Sequence, residues 1–172
     1  MKALKIILIG GAVFLGGRYL YSLNRAGKKA VVQVGGRVHK VTFEGVEVVL
    51  KYNIKNPTNS SIEMAAPLIT LTHEGKVLAS SSMSLVEIPE DVRSTNGRIK
   101  VLPFKETGII TTSILLPFLS LIGAGANLVT VLKNKLNAQA EQESVTFEVN
   151  TTSTVFTKIG SYPYDDTETV TI

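Results

Sequence analysis

Along "VEVVLKYNIK", residues 46–55, the side chains Val46, Val48, Leu50, Tyr52 and Ile54 fall on one face, and Glu47, Lys51, Asn53 and Lys55 on the other. A period of two is the mark of a strand with one buried face. The pattern stops at Asn56-Pro57-Thr58-Asn59-Ser60-Ser61. Proline has no N–H for a sheet ladder and biases the residue before it toward extended backbone. Asn56-Pro57 is therefore a structural motif: the strand runs to its end and then leaves the sheet. Asn56, Asn59, Ser60 and Ser61 are side chains suited to satisfying the loop's own backbone groups.

Strand-like segments recur on either side of this one. "VVQVGG" and "RVHKVTFEG" precede it, and "APLITLTHEGKVLASSSMSLVEIP" predicts a hairpin turning at Glu74-Gly75. "TNGRIKVLPF" offers an Asn-Gly turn and a short strand, "TGIITTSILL" another, and "ESVTFEVNTTSTVF" and "ETVTI" close the chain. The fold class expected is mainly β, an antiparallel sandwich of immunoglobulin or fibronectin-III-like kind, with one amphipathic helix. That helix follows Pro117, a residue suited to a first helical turn. Beyond it Phe118, Leu121, Ile122, Leu128, Val129, Leu132 and Leu136 recur at helical spacing, and Lys133 and Lys135 complement the dipole in the last turn. A rival reading makes the uncharged run Thr107–Leu132 a hairpin of helices in a membrane, because hydropathy alone flags a stretch of that length.

The first 29 residues break the pattern. In "MKALKIILIGGAVFLGGRYLYSLNRAGKK" an uncharged core runs from Ile6 to Gly17. It reaches spanning length if Lys5 and Arg18 snorkel toward the headgroups, with Tyr19 and Tyr21 as interfacial aromatics. The expected organisation is a transmembrane anchor over residues 1–29 and a sandwich domain over 30–172, with residues 1–25 in contact with a lipid bilayer. Gly10, Ala12, Gly16 and Gly17 would supply a close-packing face for another helix, hence protein partners or self-association. A cleavable signal peptide and a buried soluble element are the alternatives, although no A-x-A site follows. "KIILIGGAVFLGG" also looks like a dinucleotide-binding strand and glycine turn, but the first acid, Glu44, lies 34 residues after Gly10 and no alternating helices follow.

Charge sharpens the division. The formal charge of +4 arises because residues 1–29 carry six bases and no acid, while the remainder carries 12 bases against 14 acids. A basic nucleic-acid face on the domain is therefore not expected. Basic residues flank the apolar run on both sides, so the side of the membrane stays open. There is no cysteine, which excludes disulfides, thiolate metal sites and a cysteine nucleophile. His39 and His73 stand in no metal-binding spacing, and Ser80, Ser81, Ser82 and Ser84 lack a nucleophile-elbow context. Asp165, Asp166 and Glu168 lack the calcium-loop spacing and read as a solvated turn. The expectation is a protein without catalytic residues, cofactor or metal.

The order of these segments resembles a known family. "VVLKYNIKNPTNSSIEM", the hairpin "LITLTHEGKVLASSS" and "VEIPED" are similar to the WHy (water stress and hypersensitive response) domain of type-two late-embryogenesis-abundant proteins. "FKETGIITTSILLPFLSLI" resembles that domain's strand-to-helix passage, and "VTFEVNTTSTVFTKIGSYPY" its final strands. The resemblance covers residues 30–172 and implies a non-enzymatic binding or stress-protective module. A building block of a large assembly, such as the coat of a membrane-containing bacteriophage, is the other expectation, since a packing-competent anchor would carry a nearly neutral, strand-rich head.

Overall fold

A computed structural model describes residues 29–81, 86–136 and 145–171. The anchor segment, with Gly10, Ala12, Gly16 and Gly17, lies outside the described residues. In order, the chain forms β1 (Val31–Val41), β2 (Gly45–Lys55), β3 (Ile62–Met64), β4 (Leu68–His73), β5 (Lys76–Ser80), β6 (Ile99–Val101) and β7 (Ile110–Pro117). Helices α1 (Phe118–Ala124) and α2 (Ala126–Leu136) follow, then β8 (Thr146–Thr157) and β9 (Gly160–Thr171).

The architecture is mainly β, two antiparallel sheets arranged as a sandwich, with two helices. The smaller sheet has the order β1-β2-β7. In the larger one β8 is the spine. β9 pairs along one of its edges from Thr146↔Thr171 to Thr157↔Gly160, and β4 and β3 share the other edge end to end. β5 extends the sheet beyond β4, and β6 extends it beyond β3. Ala65 bridges the gap between β3 and β4: its N–H donates to Thr154 O at 3.0 Å, and its carbonyl accepts from Ser153 Oγ at 2.8 Å.

The alternation in β2 is realised in full. Val46, Val48, Leu50, Tyr52 and Ile54 are each no more than 1% exposed, in one core with Ile69, Leu71, Phe147, Val149 and Val155 from the facing sheet. Glu74 and Gly75 both take positive φ, 49° and 75°, as a two-residue hairpin turn of primed type requires. Gly97 of the Asn-Gly turn also takes positive φ, 75°. At Gly45 the need is space: a Cβ there would collide with the Leu116 carbonyl oxygen and stand 2.8 Å from its carbon.

Four expectations are corrected. The two short strands before β2 are one continuous strand, with His39 bulged out where the register shifts between Val38 and Lys40. The single helix is two, because Gly125 takes an extended conformation between them. Glycine at 123 and 125 weakens helix continuation, and the break lets Leu121, Ala124, Leu128 and Leu132 all reach the core. Pro117 ends β7 and occupies the N-cap, not the first turn. Finally, the last strand starts at Gly160, so Asp165 and Asp166 sit in β9 instead of a turn. Pro163 is tolerated there because β9 is an edge strand, where one N–H has no ladder partner to lose. The run Thr107–Leu132 is thus a strand and short helices, not a membrane hairpin, and among the described residues no helix is long and apolar enough to cross a membrane.

Candidate functional site

Asn56 stands where β2 leaves its sheet, and it is 1% exposed. Its backbone N–H donates to Lys105 O at 3.0 Å. Its side-chain amide donates to three carbonyls, Ser60 O at 2.7 Å, Leu102 O at 3.1 Å and Val101 O at 3.3 Å. Its Oδ1 accepts from Thr58 N–H at 3.2 Å and from the Thr58 hydroxyl at 2.7 Å, which folds the chain back over Pro57. One amide side chain therefore ties the end of β2 to the end of β6 in the other sheet. Carbonyls released where two strands stop are otherwise costly to bury, and a primary amide is a side chain able to donate twice and accept twice. Sequence reasoning found Asn56-Pro57 as a turn and missed its role as a clamp between the sheets.

Thr107 completes the clamp without any signal in the sequence. Its N–H donates to Ile54 O at 3.0 Å and its Oγ1 accepts from Ile54 N–H at 3.1 Å, so it continues the β2–β7 ladder past Gly108. Beside it, Glu106 accepts from Asn53 Nδ2 at 2.9 Å and lies 3.6 Å from Lys55 Nζ. The amide bond first and the lysine charge second hold its carboxyl below the usual range.

The topology gathers four segments at this end of the sandwich. β1 enters here, Val31 opposite Lys55. The loops after β2 and β6 cross here, and the β8–β9 turn at Thr157–Gly160 lies at the same end, since β3 starts alongside Phe156. Five exposed large apolar side chains come with them: Val31, Leu102, Phe104, Ile109 and Ile159. Phe104 is 69% exposed and has φ +54° in the turn closed by Lys105 N–H on Leu102 O at 3.2 Å. A positive φ at the third position of a turn normally selects glycine or asparagine, so an aromatic there is strained backbone carrying an unburied ring. Phe104, Lys105 and Glu106 line a shallow cleft of about 500 Å³ with Lys55, Asn56 and Pro57.

The other candidate residues have structural employment. His73 Nδ1 lies 2.8 Å from Thr146 O, and its ring tilts against Phe147. The Ser81 hydroxyl accepts from Ile69 N–H at 2.9 Å. Glu168 accepts from Val34 N–H at 3.0 Å, and Tyr164 Oη accepts from Val32 N–H at 3.0 Å while donating to Asp166 at 3.1 Å. These β9 side chains cover the outward-facing amides of the edge strand β1, a role in sheet protection. Burial, offset in part by the Val32 bond and reinforced by the Asp166 charge, pushes the Tyr164 phenol up to about 12. Among the described residues no cluster of three or more histidine, aspartate or glutamate side chains is placed to hold a metal.

No protein-family model matches the chain, and no curated protein sequence does. Solved structures are similar to it in fold. A protein of Arabidopsis thaliana known from a solution structure is 13% identical, with a TM-score of 0.50 over 80% of this chain and 76% of that one. A protein of Archaeoglobus fulgidus is 14% identical, with a TM-score of 0.48 over 81% of this chain and 94% of that one. A protein described as a candidate late-embryogenesis-abundant protein is 12% identical, with a TM-score of 0.36 over 98% and 88%.

Proposed function

We propose that the chain is a non-enzymatic, stress-protective binding module of the type-two late-embryogenesis-abundant kind, an immunoglobulin-like WHy sandwich tethered to a membrane by its N-terminal segment. The observation that carries the reading is the order of elements. β2 ends in the Asn56 clamp, the Glu74-Gly75 hairpin follows, β7 passes Pro117 into α1, and a long final hairpin closes the sheet. That is the order by which the sequence resembles the WHy domain, and the likeness in fold to the Arabidopsis protein supports it. The tether is supported by the uncharged run from Ile6 to Gly17 and the bases on both its flanks.

The full chain is tested in cells by fractionation, protease protection and survival after drying. The expected result is a membrane-bound protein whose expression improves recovery of a drying-sensitive reporter enzyme. Val13→Arg places a charge at the centre of the apolar run, at about 2.5–3.5 kcal/mol on insertion scales, and should move the protein toward the soluble fraction. Recovery in many copies within one sedimenting particle, with no effect on the reporter, would instead make it a coat component of an assembly.

A further inference from the structure

We propose that the end of the sandwich built around Asn56 docks on the surface of an anionic bilayer, with Leu102, Phe104 and Ile159 entering the interfacial layer and Lys55, Lys105 and Lys158 facing lipid phosphates. The proposal rests on the membrane-tether reading and adds to it a defined lipid-facing surface on the folded domain.

Three independent observations converge on this end. The first is where the chain enters. β1 begins at Val31 opposite Lys55, so the apolar run Ile6–Gly17 leads into the domain at this end and not the other. Only the eleven residues 18–28 separate that run from Lys29, at most about 40 Å even if fully extended. A head on so short a tether meets the bilayer at high effective concentration, and weak contacts suffice to orient it.

The second is the exposed apolar set. Leu102 and Phe104 are 52% and 69% exposed at the first and third positions of one turn, and Val31 and Ile159, at the same end of the sandwich, are both 41% exposed. The backbone at Phe104 is held left-handed, a conformation a phenylalanine adopts only where surrounding structure imposes it. The turn presents the ring to solvent when glycine would occupy it without strain.

The third is charge. The entry point and the three loops of this end carry Lys29, Lys55, Lys105 and Lys158 against a single carboxylate, Glu106. Aromatic and aliphatic side chains ringed by lysines are the composition of surfaces that bind the headgroup region of anionic membranes. The opposite end also exposes Phe43, Leu119 and Ile122, but its hairpin turns carry Glu44 and Glu74. Its lysines Lys40 and Lys76 are held by Glu47 at 3.0 Å and by Gly123 O at 2.6 Å, closer than the 3.6 Å between Lys55 and Glu106 at the docking end.

Because the chain has no cysteine, one introduced thiol labels one site. Full-length Leu102→Cys, Phe104→Cys, Ile159→Cys and, at the far end, Phe43→Cys are each labelled with an environment-sensitive dye and reconstituted into phosphatidylcholine vesicles with or without phosphatidylserine. The expected result is quenching by a lipid-dissolved quencher at 102, 104 and 159 in phosphatidylserine vesicles, with the dye at 43 left in water. Lys55→Ala and Lys105→Ala should each lower the docked fraction about fivefold. In a wild-type background labelled at Ile159→Cys, Phe104→Gly should weaken docking while leaving the thermal midpoint unchanged or raised, because glycine relieves the turn. Dyes at 102, 104 and 159 as wet as the dye at 43, on a protein that floats with the vesicles, would overturn the docking surface and leave the tether standing. A full-length chain that fails to float would overturn both.

Discussion

At Asn56 one side chain does the work of several backbone partners. Removing it takes a donor from each of the carbonyls of Ser60, Val101 and Leu102, leaving Ser60 O with the Thr58 hydroxyl at 3.3 Å and Leu102 O with Lys105 N–H at 3.2 Å, and a buried group that goes unpaired costs about 1–3 kcal/mol. Asn56→Ala should therefore lose about 3 kcal/mol in urea denaturation, with water entering to satisfy part of the deficit. Asn56→Asp should fare no better, since a carboxylate cannot donate and would face three carbonyl oxygens. Pro57→Ala, one exposed position along, should cost no more than about 1 kcal/mol, mostly through unfolded-chain entropy. A clamp and a plain turn are distinguished by this contrast: equal small losses at both positions would mean that Asn56 does no more than end the strand. Gly45 is a second position where a single atom decides. A Cβ there meets the backbone of Leu116, which has no side-chain freedom to yield, so Gly45→Ala should cost about 1–3 kcal/mol by the same assay.

Among the elements, β9 shows how an edge strand is put to use. Its Tyr164 and Glu168 reach across to the free amides of β1, closing the side of the sandwich where neither strand has a ladder partner. This closure has a pH signature with a definite sign. Tyr164 is raised from near 10 to about 12 in the folded chain, and burial also raises Tyr52. A group with a raised folded value keeps its proton longer folded than unfolded, so its contribution is whole below about pH 10 and is lost as pH climbs through about 12. The urea midpoint should fall across that window. Tyr164→Phe should lower stability by about 1 kcal/mol at neutral pH, by freeing the Val32 amide, and flatten the alkaline fall. An alkaline slope unchanged by the substitution would assign it to Tyr52 alone. The helices divide similarly into faces: Leu132, fully buried, should cost about 2–5 kcal/mol as alanine, whereas Leu119, 85% exposed, should tolerate serine.

Among the described residues one core of buried apolar side chains joins the two sheets and both helices, from Ala30 to Val170. Residues 30–172 should fold without the leading segment, giving a strand-dominated circular dichroism spectrum and one cooperative urea transition. A disordered or helix-dominated spectrum would overturn that. What consecutive residues dictate was legible in the chain: the buried face of β2, the turns at Glu74-Gly75 and Asn96-Gly97, and the succession of strands from β4 to β7. Period-two alternation and positive φ are local properties, fixed by neighbours a few positions apart. The tertiary structure alone decided the rest. Asn56 finds carbonyls 45 and 46 residues away, and Tyr164 and Glu168 serve amides 132 and 134 residues away, so no local pattern could distinguish a clamp from a turn or an edge cover from an acidic loop. The end at which β1 enters, and hence which loops lie at that end with it, likewise follows from strand pairing, because direction in a sheet is a property of partners and not of any one strand.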